Sequence, residues 1–344
     1  MTDVDVDRRL NPRVALIGCG AIARSFHLPA LARNPAVREK VILVDPATDR
    51  ARALGREYGI DRVAASHQDV IGAVDAAVIT VPHSLHYPIA RDLLAHGVHV
   101  LCEKPLTETA EEAADLIATA KAAGAVLAAN YTKRLYPSFQ KIRDLIAEGA
   151  IGTPESFEFL WGEVFDWPAA SGFYFGRAAE GRGVLFDKGP HVLDVLCWWL
   201  PGEAAILSCH DDASGGSEAV SEVELRIGAA RGTVRLSWLS KYENTFAIRG
   251  DEGTIRGSVF DWKGLELSEP DGKARRLKTG AGARSPSGFG PAIIDDFLSA
   301  IAKDTDPLVR AEDVIDSIRL IEECYAVRQQ FSMPWNAMPG MNDA

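Results

Sequence analysis

Between Arg13 and about Ala129, short and wholly apolar runs alternate with stretches of helical period, and this alternation constrains the fold more than any other feature of the 344-residue chain. Strands buried on both faces read as unbroken apolar runs, and parallel neighbours must be joined by crossover helices, so the pattern predicts β-α-β units on one doubly wound parallel sheet. The strands fall at Val14–Ile17, Val41–Val44, Ala76–Thr80, His99–Cys102 and Val126–Ala129. Helices fall between them at Ala21–Ala32, Thr48–Tyr58, Ile89–Ala95 and Ala110–Ala123, the last rich in strong helix formers.

The period changes after a hinge-like stretch at Asn130–Tyr136. Pro137 opens a helix running to about Glu148. Ser156–Trp161, Ala205–His210, Ser221–Ile227, Thr233–Ser240 and Thr245–Arg249 then alternate with the period of two expected of strands with one buried face. Turn signals separate them at Ala213–Gly216, Gly228–Gly232, Gly250–Gly253 and Pro270–Gly272. Two helices follow, at Pro291–Ala302 and Ala311–Gln330; Ile315, Ile318, Leu320, Ile321 and Tyr325 form a core-facing stripe on the second. The expected fold is α/β, with residues 1–133 forming a parallel-sheet domain and residues 134–344 an α/β domain built on a large, open, mostly antiparallel sheet. The tail from Ser332 reads as an extended or disordered arm.

With 37 Lys and Arg against 48 Asp and Glu, the formal charge is -11, which argues against a nucleic-acid groove. The five cysteines are scattered without a CxxC spacing, so neither a disulfide framework nor a zinc site is expected, and a reducing cytoplasm fits best. The opening MTDVDVDRRLNPR lacks the apolar core of a signal peptide, and no apolar run reaches membrane-spanning length.

Gly18-Cys19-Gly20-Ala21-Ile22-Ala23 joins the first strand to the first helix. In a dinucleotide fingerprint Gly18 permits the tight turn, Gly20 lets the backbone approach a pyrophosphate, small Ala23 allows close helix packing, and the helix N-terminus at Ala21 and Ile22 faces the phosphates. Asp45, at the end of the second strand, sits where a carboxylate accepts from the adenosine ribose and repels a 2′-phosphate. No arginine follows at once, since the chain continues Pro46-Ala47-Thr48, so NAD is expected over NADP. Pro82, His83 and His86 lie on a strand-end loop placed to border the nicotinamide ribose. Two histidines three apart without a third ligand do not make a metal site, and none is expected.

Glu103-Lys104-Pro105 and, 80 or so residues later, Asp187-Lys188-Gly189-Pro190-His191 complete the set. A strand-end lysine together with an Asp and a His one helical turn apart handles protons: His191 suits a general base near neutral pH, Asp187 would hold its imidazole in one tautomer, and Lys104 would stabilise charge on an alcohol oxygen. Each also has a structural alternative: Asp187 as cap of a helix started by Pro190, His191 as a satisfied helix residue, Lys104 as a solvated charge. Asp194, three residues past His191, is a candidate second contact to substrate or to His191.

These motifs, with AVITVPHSLH, HGVHVLCEKPL, ANYTKRLYP, IAEGAIG and GRGVLFDKGPHVLDVLCWWLPG, are colinear from about Arg13 to Gln330 with the Gfo/Idh/MocA oxidoreductases, which the chain resembles. The resemblance implies a Rossmann domain, Glu103 and Lys104 bordering the coenzyme, and Lys104, Asp187 and His191 as the proton-handling set of the inositol dehydrogenase-like branch. It also implies a second domain whose open sheet makes a homo-dimer or homo-tetramer. Lys188 stands where many relatives carry an uncharged residue, which points either to an anionic substrate group or to an ion pair. Trp161–Pro168, with Trp167, and then Phe173, Tyr174 and Phe175 supply aromatics and carboxylates suited to a sugar ring or to a packed arm. The expectation is hydride transfer between NAD and a ring carbinol of a sugar, sugar derivative or cyclitol. Redox-neutral epimerisation or elimination and a silent dinucleotide sensor remain as alternatives.

Overall fold

The computed structural model describes residues 11–168, 182–213, 216–269, 271–280 and 282–332. Its first sheet is wholly parallel: β1 (Val14–Ile17), β2 (Ile42–Val44), β3 (Val63–Ala64), β4 (Ala76–Ile79), β5 (His99–Cys102) and β6 (Leu127–Ala129) stand in the order β3-β2-β1-β4-β5-β6. Every residue of β1 and β4 is buried, as a strand covered by helices on both faces must be. The strand order reverses between β1 and β4, and the crevice beyond their carboxyl ends is where this topology receives ligands. Helices Thr48–Tyr58 and Ala110–Ala123 have the expected bounds, the latter opened by a Thr109/Glu112 capping box and closed by left-handed Gly124.

The second sheet has nine strands in the order β14-β13-β12-β11-β7-β10-β9-β8-β15. They are β7 (Pro154–Gly162), β8 (Ala204–Asp211), β9 (Val220–Ile227), β10 (Ala230–Ser237), β11 (Thr245–Gly250), β12 (Gly253–Ser258), β13 (Gly264–Ser268), β14 (Ala274–Lys278) and β15 (Gln329–Gln330). All pairs are antiparallel except β7 with β10 and β8 with β15. One face packs on helices Pro137–Ala147 and Val184–Trp199 through Phe139, Ile142, Val192 and Leu196. Charged pairs such as Arg231–Glu224 and Arg235–Glu222 cross adjacent strands at exposed positions.

The C-terminal helices tie the two sheets together. Helix Gly290–Lys303 presses Ile293, Phe297 and Ile301 into the core around Val14 and Leu16. Helix Ile315–Val327 gives Ile318 to the other core of the parallel sheet and Leu320 and Ile321 to the nine-stranded half.

Four expectations need correction. The helix expected over Ala311–Gln330 ends at Val327, because Gln329 and Gln330 leave it to pair with His210 and Asp211 of β8. Pro190 lies inside helix Val184–Trp199 rather than at its start, so Asp187 is in the first turn but is not the cap. The turn expected through Gly232 is strand: a Cβ there would fall 2.1 Å from Phe157 O, so glycine is what lets β10 pass β7. Strands β12, β13 and β14 carry too many polar residues for their period to stand out, and they form a meander of hairpins instead. Phe173, Tyr174, Phe175 and the tail beyond Ser332 lie outside the described residues.

Candidate active site

One cavity of about 650 Å³ runs from the Gly18–Ile22 turn to Trp238, lined by both halves of the chain. Gly18 has φ +92°, and a Cβ there would lie 2.6 Å from Thr80 O, while Thr80 Oγ1 donates to Gly18 O at 2.6 Å. A Cβ on Gly20 would meet nothing within 4 Å, so the backbone is open to the cavity where a pyrophosphate must approach. Ala23 is fully buried beneath it, at the start of a π-helical turn over Ala23–His27. The turn therefore fits the dinucleotide phosphates.

Asp45 ends β2 with both oxygens held by main-chain donors: Oδ2 accepts from Cys19 N at 2.9 Å and Oδ1 from Ala47 N at 2.8 Å. Burial, reinforced by that carboxylate, pushes the Cys19 thiol up to about 12, so it stays protonated. Arg50, one helical turn into Thr48–Tyr58, places Nε 3.8 Å from Asp45 Oδ2 and also lines the cavity.

Pro82, His83 and His86 border the middle of the cavity. His83 packs against Phe186, ring centroids 5.2 Å apart, and burial pushes its imidazole well below the ordinary value. His86 is fully buried, with Nδ1 2.7 Å from Pro105 O and Nε2 3.0 Å from Val81 O. Burial pushes its imidazole below the ordinary value, so the neutral ring donates to one of these carbonyls at a time while it borders the cavity. Glu103 also lines the cavity. Its Oε1 takes hydrogen bonds from His27 Nε2 and Asn130 Nδ2, both at 2.7 Å, and its Oε2 from Lys104 N at 3.1 Å. Burial alone would raise this carboxyl, but those donors hold it below the usual range.

Lys104, Asp187 and His191 meet at the far end. Lys104 and Pro105 are joined by a cis peptide, and Lys104 Nζ donates to Asp187 Oδ1 at 2.9 Å and to Asp187 O at 2.6 Å. Trp238 Nε1 donates to Asp187 Oδ2 at 3.2 Å. Asp187 thus anchors Lys104 and Trp238, and neither of these hydrogen bonds comes from the imidazole. Burial would raise Asp187, yet Lys104 and Lys188 hold it below its ordinary value. His191 lies four residues on, its Nδ1 buried without a hydrogen-bond partner among the described residues, its ring 5.8 Å from that of Trp161. Burial, then the charges of Lys104 and Lys133, push its imidazole well below the ordinary value, so it is neutral at pH 7.

Lys188 and Trp167 also line the cavity. Lys188 is buried, 3.4 Å from Glu163 Oε2 and 4.4 Å from the Trp161 ring centroid, an ion pair inside the wall. Asp194 does not face the cavity. It is 1 % exposed and takes a bidentate pair of hydrogen bonds from Arg134, at 2.7 and 3.0 Å, which removes it from substrate contact.

Residues 12–131 match the family model described as "Oxidoreductase family, NAD-binding Rossmann fold", and residues 139–256 match the GFO/IDH/MocA C-terminal domain. The chain belongs to the Gfo/Idh/MocA oxidoreductases. Among relatives of this family, 1,5-anhydro-D-fructose reductase of Ensifer adhaerens is 28% identical, the match covering 89% of this chain and 93% of that one. D-apiose dehydrogenase of Paraburkholderia graminis is 26% identical over 90% and 86%. In fold the chain is similar to a levoglucosan dehydrogenase solved with NADH and levoglucosan, at TM-score 0.80 and 21% identity over 92% and 97% of the two chains. A 3-ketoreductase from Actinomadura kijaniata solved with NADP and TDP-benzene matches at TM-score 0.80 and 22% identity over 94% and 100%. The Gfo/Idh/MocA chain is thus an NAD(P)-dependent oxidoreductase whose homologues act on sugars and sugar nucleotides.

Several residues of this Gfo/Idh/MocA site carry no local sequence signal. Trp238 reaches Asp187 across 51 residues, and His27 reaches Glu103 across 76. Lys133 does sit in a legible motif, ANYTKRLYP. It is buried, donates to Val259 O at 3.2 Å, and stands over the rings of Trp161, Tyr136, Phe139 and Phe260. Burial, then Lys188, pushes its ammonium down to about 7.

Proposed function

We propose that this chain is an NAD-dependent dehydrogenase acting on a ring carbinol of a sugar, sugar derivative or cyclitol. The observation that carries the reading is a neutral His191 and an Asp187-anchored Lys104 at the end of the same cavity whose other end fits the dinucleotide phosphates. Bound nicotinamide supplies the hydride acceptor. The chain's own residues handle the proton.

An ammonium has three N–H donors, and Asp187 takes two of those on Lys104. The third is left to donate to a substrate oxygen, stabilising the negative charge that grows there as hydride leaves carbon. His191, held neutral, accepts the hydroxyl proton on its ring. Asp187 fixes Lys104 and offsets the imidazolium that forms. Trp167, 41% exposed at the cavity wall, offers an aromatic face to the apolar side of a ring, while Glu163 and Asp166 offer acceptors to its hydroxyls.

The test is absorbance gain at the NADH wavelength with a panel of cyclitols, pyranoses, glycosides and sugar nucleotides. Turnover on a ring polyol is expected. No turnover on any panel member, in either direction, by protein shown to bind NADH would remove the reading.

A further inference from the structure

Glu218 precedes β9 and does not line the cavity, yet it holds the start of helix Val184–Trp199, which bears Asp187, Lys188 and His191. It is buried, and one carboxylate oxygen, Oε1, accepts from Gly183 N at 2.9 Å, from Leu185 N at 3.0 Å and from the Tyr325 hydroxyl at 2.8 Å. Its main-chain oxygen accepts from Val184 N at 2.9 Å, so three successive N–H groups at the helix start end on this one residue. A Cβ on Gly183 would fall 1.9 Å from Glu218 O, and glycine is what allows the approach. A helix leaves its first N–H groups without internal partners, and a carboxylate also meets the positive end of its dipole. Here that cap comes from 35 residues further along the chain.

The next residue holds the other side of the same carboxylate. Ala219 O accepts from Trp238 N at 2.7 Å, and Trp238 Nε1 is the donor to Asp187 Oδ2. Residues 218 and 219 therefore set the helix start and Trp238 in register around Asp187. The register reaches Lys104 directly, because one of the two acceptors for its Nζ is the main-chain oxygen of Asp187, and Asp187 N donates in turn to Gly183 O at 3.1 Å. A helix start that shifts carries that oxygen with it. We infer that Glu218 is a positioning residue for the reaction, its carboxylate fixing the first helical turn so that Asp187 O and Oδ1 aim the Lys104 ammonium at the substrate oxygen. The inference rests on the dehydrogenase reading of the cavity and adds to it a residue outside the cavity.

Steady-state kinetics on a ring polyol that the native protein oxidises, with thermal unfolding and NADH titration alongside, decide the matter for Glu218→Gln, Glu218→Asp, Glu218→Ala and Tyr325→Phe. Glu218 Oε2 makes no hydrogen bond among the described residues, so Glu218→Gln keeps every bond of Oε1, gives up only Arg328 Nη1 at 3.9 Å, and should stay within about threefold of native turnover. Glu218→Asp keeps the charge without the reach, and Glu218→Ala keeps neither. In both, kcat and kcat/KM should fall together by about 10- to 100-fold per folded molecule, with KM and NADH affinity within about twofold, as when an interaction made in the transition state is lost. Tyr325→Phe leaves the helix N–H groups on Oε1 and should lower the melting temperature without lowering kcat. Native kcat per folded molecule in both Glu218→Asp and Glu218→Ala, or loss of fold in both, makes Glu218 cohesive only and overturns the inference, as does a Glu218→Gln protein as slow as Glu218→Asp. Native protein that binds NADH and turns over no panel member fails at the dehydrogenase reading instead, and the inference falls with it.

Discussion

Helix Val184–Trp199 carries two carboxylates seven residues apart, each paired with a cation from a distant part of the sequence, and the two pairs differ in how completely they are sealed. Asp187 and Lys104 keep 22% and 14% of their side-chain surface and face the cavity. Asp194 and Arg134 keep 1% and 6%, and Arg134 also donates to Asp313 O at 2.7 Å. The same residue type on the same helix thus serves chemistry where the pair faces the cavity and cohesion where it is sealed. An ion pair is read by whether its cation can still be reached.

The contrast breaks most sharply at the open end. Lys104→Ala should lower turnover about 100- to 1,000-fold and His191→Ala about 100- to 10,000-fold, with NADH affinity and melting temperature close to native. If stopped-flow and calorimetry instead find either variant unfolded and active in proportion to its folded fraction, the open pair is cohesive too. At the sealed end, Asp194→Ala strands a buried guanidinium and should cost about 3–5 kcal/mol of stability, read by urea unfolding, while activity per folded molecule survives. A stable Asp194→Ala protein that has lost turnover would move Asp194 back into the site.

Acid sharpens the comparison further. His83 and His191 are held neutral by the fold, whereas the unfolded chain protonates them near 6.5. The unfolded state then binds more protons, so stability must fall as pH drops from about 7 toward 5, above the range where carboxylates titrate. His191→Asn should flatten that slope in melting temperature against pH. An alkaline counterpart belongs to Lys133, whose folded value near 7 lies below its ordinary 10.5. Between those values the unfolded chain again holds the extra proton, so native stability rises from pH 7 to 9. Lys133→Met should abolish the rise; an unchanged rise would assign it to another group.

Much of this architecture was legible in residue order, and the failures share a cause. β1, β4 and the helices of the first half announce themselves because burial on both faces, or a cap such as Thr109 with Glu112, acts within a few residues. The motif positions of Lys104, Asp187 and His191 were equally local. What residue order did not contain was partnership. Spacing paired Asp187 with His191, yet the donors that reach its carboxylate are Trp238, just past β10, and Lys104, just past β5. Spacing aligned Asp194 with the site, yet Arg134 removes it. Arg50 is separated from Asp45 along the chain by Pro46-Ala47-Thr48-Asp49, and only the helix brings it back in space.

The Lys104–Asp187 bond spans the join between the six-stranded half, whose β5 leads into Lys104, and the nine-stranded half, whose inner helix bears Asp187. Reactivity is consequently a property of the seam and belongs to neither part. Each half can diverge on its own, one in the coenzyme it holds and the other in the ring it admits, provided the stitch between them is kept. Exchange of the nine-stranded half between relatives is then a route to new substrates that leaves the electron chemistry intact.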